Sequence, residues 1–235
     1  MNRAIDWGLL KDHPMRNVKK LKVDEDAKIR YLVPEEAQRL RDAMDNREMK
    51  HRADRERFNQ WRRRRGYEEF PAFATFTDHL KPIVLLALNT GMRRGELFNL
   101  KWDDVNFAGR ILTVVGETAK SGKTRHIPMN EEVFSVLRAL YEQRKESELV
   151  FPGADGGRLD NISTSWENLI KSAKIKKFRF HDLRHDFASK LVMAGVDLNT
   201  VRELLGHADI KMTLRYAHLA PEKLASAVAK LNASK

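Results

Sequence analysis

The stretch from His79 to Leu100 places the strongest constraint on how this chain folds. Its apolar residues form a nearly continuous series, namely Leu80, Ile83, Val84, Leu86, Ala87 and Leu88. A helix that is apolar on all sides has to be buried, and this run is long enough to form one. Gly91 interrupts the run, so the buried helix is predicted to end there.

Short β segments follow the predicted helix. The strand candidates are residues 105–107, 111–115 and 125–129, and they are separated by Gly109, Gly116 and Gly122. Helical patterns then cover residues 131–145, 162–174, 181–194, 199–205, 210–216 and 221–231. We therefore predict a mainly helical α+β domain with one small antiparallel sheet of about three strands on its flank.

The charge of the chain indicates the kind of partner it binds. A formal net charge of +11 and a pI near 9.8 attract polyanions, which makes nucleic acid the leading candidate. The absence of cysteine excludes disulfides and thiolate metal sites. No apolar run approaches the roughly 20 residues that span a bilayer, and the N-terminus lacks a secretory pattern, so we expect a cytoplasmic protein.

The first 78 residues divide into three predicted parts. Residues 1–30 are predicted to be the end of a preceding domain and a basic linker, so that the chain begins in the middle of a longer protein. The main domain is predicted over residues 31–235, with Pro34 in the first turn of its first helix. Residues 46–78 are predicted to be a charged insertion, which is either a solvated, partly helical segment or a basic arm that lies on nucleic acid.

Three short segments concentrate residues that packing alone does not explain. They are TGMRRGEL at 90–97, HDLRH at 181–185 and LGHADIKMTLRYAH at 205–218. Arg93 follows the helix-breaking glycine, and its planar guanidinium is suited to two hydrogen bonds with a phosphate. The alternative is a structural ion pair between Arg93 and Glu96. His181 and Arg184 lie three residues apart on one helical face, where both can reach one anion.

Histidine spacing also permits a metal site. His181, His185 and His207 could together ligate zinc. The helix lacks the glutamate of an HExxH pattern and there is no cysteine cluster, so His185 is instead predicted to be a packed or supporting residue. Tyr216 follows His207 by nine positions, and a lone tyrosine in such a helix is commonly a core or interface residue.

Taken together, the three segments resemble the tyrosine recombinases, the family of phage integrases and Xer-type chromosome-resolving enzymes. The resemblance runs from about residue 33 to residue 231. It implies that Arg93 and Arg184 bind the scissile phosphate, that His181 assists proton transfer and that His207 donates a further hydrogen bond. It also implies that Tyr216 is the nucleophile, that a 3′-phosphotyrosyl intermediate forms, and that no metal or other cofactor is needed.

The segment AKSGKTRHIP at 119–128 is a basic turn before a strand, and it matches the family's β-hairpin lysine. By this resemblance Lys120 protonates the leaving 5′ hydroxyl, with Lys123 as the second choice. Lys123 and Arg125 are predicted to contact the phosphate backbone of DNA. Further DNA-binding candidates are Arg62, Arg63, Arg64 and Arg65.

The resemblance implies a protein that integrates or excises a phage or another mobile element and acts on double-stranded DNA beside the nucleoid. Four protomers are expected to assemble on DNA when the protein is full length, whereas the free fragment is expected to be a monomer. The segment after Pro221 either docks on a neighbouring protomer or packs on its own domain. The alternatives are DNA relaxation of the type IB topoisomerase kind and DNA binding without catalysis.

Overall fold

The computed structural model describes residues 2–19, 29–116, 122–144 and 146–221. The helices of this part of the chain are α1 (Asn2–Asp6), α2 (Pro34–Arg63), α3 (Leu80–Thr90), α4 (Arg94–Phe98), α5 (Glu131–Glu142), α6 (Ser163–Ser172), α7 (Asp182–Met193), α8 (Leu198–Leu205) and α9 (Lys211–Leu214). Short 3-10 turns cover Trp102–Asp104 and Ala217–Leu219. The helix predicted over residues 221–231 lies almost entirely outside the described residues.

The sheet comprises β1 (Val105–Asn106), β2 (Ile111–Val114) and β3 (Arg125–Pro128) in the order β1-β2-β3, and both pairings are antiparallel. Leu112 stands opposite Ile127, and both side chains are buried, whereas their neighbours along each strand are more exposed. This alternation is the one expected for a sheet that covers a core with one face. The predicted mainly helical fold with one small antiparallel sheet is confirmed.

Helix α3 forms the centre of the domain, as its apolar sequence predicts. Ile83, Val84 and Leu86 are fully buried, and the helix packs mainly against α5 and α7. It ends at Gly91, which adopts a left-handed φ of 62°. A side chain at this position would begin 2.5 Å from the Phe187 ring of α7 and 2.9 Å from Leu205 of α8. A glycine is therefore needed both for the turn and for the close approach of three helices.

Helix α2 contains most of the segment predicted as an insertion. It has 30 residues, about 45 Å at 1.5 Å per residue, and runs without a break through the charged region. Buried polar groups attach the returning chain to it: Asn59 exchanges two hydrogen bonds with the backbone of Phe70, at 2.8 and 2.9 Å, and Glu48 accepts one from the Thr77 amide at 2.9 Å. The segment is thus a helical hairpin fixed to the domain by specific polar contacts.

The far end of this hairpin, residues 58–70, carries half-exposed rings with arginines laid over them. Phe58 stacks on Trp61 at 5.6 Å and on Phe70 at 5.7 Å between ring centroids. Arg65 lies 4.3 Å from the Trp61 ring centroid and Arg62 lies 4.5 Å from that of Phe70. Such cation–π and stacking contacts stabilise a tip that has no large core of its own.

Within the described residues, no helix combines the length and the apolar character that crossing a membrane requires.

Candidate active site

The turn between α3 and α4 presents Arg93. Its backbone is extended, with φ −72° and ψ 153°, so the residue leaves the buried helix before α4 begins. Glu96 accepts hydrogen bonds from the Arg93 amide at 2.8 Å and from its guanidinium at 2.9 Å. The ion pair considered as a structural explanation is therefore present, yet the Arg93 side chain keeps 19% of its surface exposed while that of Glu96 keeps 2%. Arg93 can bind an anion while Glu96 holds it.

Helix α7 supplies Arg184, which is buried and anchored by backbone carbonyls from two other segments. Its guanidinium donates to the Gly91 oxygen at 2.8 Å and to the Leu205 oxygen at 2.5 Å. Burial, followed by the positive charge of Arg93, lowers the Arg184 pKa to about 9. The group stays charged at neutral pH, and its remaining N–H donors are oriented before any ligand arrives.

Two predicted histidines face this pair of arginines. His181 immediately precedes α7, and burial and the charge of Arg184 lower its pKa. His207 follows the left-handed Gly206 that ends α8, and its Nδ1 forms a 2.8 Å hydrogen bond with the Thr213 hydroxyl. Burial, then Arg184 and Arg93, lower the His207 pKa to about 3. Both imidazoles are therefore neutral at neutral pH in the absence of an anion.

Tyr216 follows α9 and is only 1% exposed. Its ring belongs to a small apolar cluster with residues of α7 and α8, including Phe187, Val201 and Leu205. The hydroxyl forms a 2.7 Å hydrogen bond with Nδ1 of His185. Burial raises the Tyr216 pKa above its ordinary value, and the charges of Arg184 and Arg215 partly offset this rise. The phenol is therefore protonated at neutral pH and lies within electrostatic reach of Arg184 and Arg215.

The prediction for Arg125 needs correction. Its side chain is 7% exposed, and it forms a two-point ion pair with Glu96, at 3.1 and 2.7 Å, besides donating from Nε to the Leu204 oxygen at 2.9 Å. A guanidinium engaged in this way is not available to a DNA backbone. Lys123, in contrast, is exposed in the turn before β3, and Lys120 lies outside the described residues.

The structure gathers Arg93, His181, Arg184, His207 and Tyr216 around one site, but the arginine run 62–65 is not part of it. The contacts of Arg62, Arg63 and Arg65 are with residues 58–70 of the α2 hairpin, including an ion pair of Arg63 with Glu69. Among the described residues, no three side chains of metal-ligand type are grouped to hold a metal ion, so the zinc alternative finds no support.

The sequence did not predict the contacts that two of its candidate residues make. His185 was expected only to pack or support, yet it is the hydrogen-bond partner of the Tyr216 hydroxyl, and its ring meets that of His181 edge-on at 5.2 Å. The i, i+4 spacing of the two histidines was the available signal. No such spacing signal existed for Arg125, because its partner Glu96 is 29 residues away along the chain.

A buried tyrosine beside two arginines and two histidines, on a helical domain with a flanking three-stranded sheet, defines the tyrosine recombinase class. The chain belongs to the phage integrase family, whose sequence model matches residues 30–223.

The integrase of Salmonella phage P22 is 34% identical over 156 residues, which is 62% of this chain and 40% of that protein. The catalytic domain of bacteriophage HP1 integrase superposes with a TM-score of 0.59 at 27% identity, over 86% of this chain and 95% of that one. The Tn1549 transposon integrase in complex with transposon right end DNA gives a TM-score of 0.55 at 25% identity, over 64% of this chain and 57% of that one. The chain spans about half the length of the curated relatives it matches.

Proposed function

We propose that this chain is the catalytic part of a site-specific DNA recombinase that cuts and rejoins DNA through a covalent bond to Tyr216. The observation that carries the proposal is the position of the Tyr216 hydroxyl, hydrogen-bonded to one residue of α7 and within electrostatic reach of Arg184 on the same helix. The proposed nucleophile, the two proposed phosphate-binding arginines and the neutral imidazoles come from separate segments of the chain.

The two arginines provide the phosphate site. Attack on a phosphodiester adds negative charge to the non-bridging oxygens, and fixed guanidinium donors stabilise that charge without having to reorganise. Arg184 is held by the Gly91 and Leu205 carbonyls, and Arg93 by Glu96. A bound phosphate also places negative charge between the arginines, which favours the protonated form of nearby His181 and His207.

The Tyr216 hydroxyl has to lose its proton as its oxygen attacks phosphorus. In the structure, neutral His185 is the group in hydrogen-bond contact with that hydroxyl, and His181 stands next to His185. We propose that His181 assists proton transfer in the DNA-bound enzyme, as the family resemblance implies. Since Tyr216 is 1% exposed, residues 211–219 must shift when DNA binds, and the short turns in this segment make such a movement possible.

The bond to the 5′ oxygen breaks as the Tyr216 bond to phosphorus forms, so the energy of the phosphodiester is retained in a 3′-phosphotyrosyl bond. Lys120 is our candidate for protonating the leaving 5′ oxygen, with Lys123, which is exposed just before β3, as the second choice. Attack by a 5′ hydroxyl of a second strand then reverses the chemistry and releases Tyr216.

Double-stranded DNA is the proposed substrate, and integration or excision of a phage or other mobile element the proposed task. The net charge of +11 supports this, as does the likeness to the P22 integrase and to a transposon integrase solved with DNA. Exposed Arg64 and Arg65 are the members of the arginine run best placed to contact phosphates. Assembly of four protomers on two duplexes, beside the nucleoid in the cytoplasm, completes the proposal.

The test is a nicked, end-labelled suicide DNA carrying the element's own attachment site, incubated with full-length protein and resolved on a denaturing gel. We expect a covalent band with wild type and none with Tyr216→Phe. Relaxation of plasmid DNA without strand exchange would instead support a topoisomerase, and binding without any covalent band would support a non-catalytic DNA-binding protein.

A further inference from the structure

Arg125 is a buried cation that the proposed chemistry does not use. It stands on β3, opposite Val114 of β2, and its side chain is buried. The guanidinium grips the Glu96 carboxylate with two nitrogens, at 3.1 and 2.7 Å, while Nε binds the Leu204 carbonyl at 2.9 Å. A two-point arginine–carboxylate contact fixes orientation as well as distance.

Glu96 links this buried arginine to the exposed one. Its carboxylate also accepts from the amide and the guanidinium of Arg93. The side chains of Arg125 and Glu96 are 7% and 2% exposed, whereas that of Arg93 is 19% exposed. Arg125 therefore holds the Glu96 carboxylate in place, and Glu96 in turn holds Arg93, the more exposed arginine that is proposed to bind phosphate.

The turn that carries His207 rests on the same side chain. Gly206, with a φ of 65°, lies so close that a side chain there would begin 2.9 Å from Cδ of Arg125. The Leu204 carbonyl is bound by Arg125, and the next one, that of Leu205, is bound by Arg184. Two arginines thus fix consecutive carbonyls just before the His207 turn.

We propose that Arg125 is a positioning residue for DNA cleavage, which holds Arg93 through Glu96 and holds the His207 turn through Leu204 and Gly206. This inference rests on the proposed function. It also connects β3, and with it the exposed Lys123 two residues before Arg125, to the phosphate site. Such preassembly is what electrostatic stabilisation of a transition state requires.

The Glu96 carboxyl gives the proposal a specific signature. The charged groups that face it are Arg125, Arg93 and, further away, Arg184. Burial raises its pKa, but Arg125 and then Arg93 outweigh burial and keep the pKa below its ordinary value. Without Arg125 the burial effect is opposed by fewer charges, so Glu96 takes up a proton at higher pH and weakens its hold on Arg93.

The experiment measures single-turnover cleavage of the suicide DNA by full-length wild type, Arg125→Met and Arg125→Lys between pH 8 and pH 6. We expect Arg125→Met to cleave about 100-fold more slowly, of the order seen when one transition-state donor is lost, with DNA affinity changed less than about threefold. The deficit relative to wild type should grow as the pH falls. Arg125→Lys retains the charge without the two-point contact, so about a tenfold deficit with little pH dependence is expected.

Two further variants separate positioning from general damage. The double variant Glu96→Gln, Arg125→Met has no carboxyl at position 96 to take up a proton. Its loss of cleavage rate relative to wild type should therefore not vary with pH. Arg110→Met removes an exposed arginine in the turn before β2, paired with Glu131 at 2.7 Å, and should cleave like wild type.

Wild-type cleavage rates with a folded Arg125→Met would overturn the inference, as would a deficit that is equal at all pH values. If Arg125→Met does not fold, Arg125→Lys decides, and cleavage at the wild-type rate overturns the inference. No covalent product from wild type on its own site would overturn the proposed function and this inference with it, whereas equal product from wild type and the variants overturns only the inference.

Discussion

Replacement of Gly91 by alanine should be among the most destabilising single changes in the domain. The new methyl group would begin 2.5 Å from Cδ1 of Phe187 and 2.9 Å from Cδ2 of Leu205, both of which are buried. Overpacking of this kind costs roughly 1–3 kcal/mol. The left-handed backbone, with φ 62°, adds about 1 kcal/mol for a residue with a side chain.

The two contributions add to about 3 kcal/mol, which for a chain of this size lowers Tm by about 6–12 °C. Gly66→Ala is the matched control, since Gly66 has a φ of 71° and open space where its side chain would begin. It should lose only the backbone contribution of about 1 kcal/mol, or about 2–4 °C.

Thermal unfolding followed by circular dichroism measures both variants under the same conditions. The Gly91 carbonyl also holds Arg184, at 2.8 Å, so Gly91→Ala should slow DNA cleavage even at temperatures where it stays folded. Equal Tm losses for the two variants would refute the argument that three helices meet tightly at Gly91.

Three other outcomes can be checked. Burial and neighbouring charges lower the pKa values of His185 and His207 to about 4 and about 3, so the unfolded chain takes up protons at a higher pH than the folded one. The free energy of unfolding should therefore fall as the pH drops from 6.5 towards 4. Urea unfolding that is unchanged over this range would contradict this prediction. Asn59→Ala removes two hydrogen bonds to Phe70, so tryptic cleavage within residues 62–65, followed on gels over time, should become several-fold faster. The Tm of the whole domain should fall by no more than a few degrees. DNA binding by this chain should be weak and should fall steeply with salt, and nanomolar, salt-insensitive binding in a titration would contradict that.

Local patterns were sufficient for most of the secondary structure. Strand β2 covers Ile111–Val114 where residues 111–115 were predicted, and α3 ends at Thr90, just before the glycine that marked its end. Periodicity and helix-breaking residues act over a few positions, so the sequence carries these signals directly.

The α2 hairpin shows a feature that local sequence patterns did not predict. The predicted insertion joins α2 in one continuous helix because its charged residues are good helix formers and because Arg47, Glu48 and Asn59 bind the returning chain. Those partners lie 11 to 31 residues away. A pairing across such a distance is set by the fold and has no period in the sequence.

The candidate site divides in the same way. The three motifs, through their resemblance to the family, predicted Arg93, His181, Arg184, His207 and Tyr216 as site residues. The contacts between the motifs could not be predicted, since His185 meets Tyr216 across 31 residues and Arg125 meets Glu96 across 29. The segment 119–128, which the sequence predicted as a basic turn before a strand, contains the buried Arg125 and the exposed Lys123.

The central claim is that Tyr216 forms the covalent bond to DNA, and mass spectrometry of the trapped adduct tests it most directly. Full-length protein is incubated with the suicide DNA, digested with trypsin and analysed for a peptide that carries a nucleotide. The account predicts the modification on Tyr216, in the peptide that begins after Arg215. A nucleotide on any other residue, or an adduct that persists in Tyr216→Phe, would contradict it.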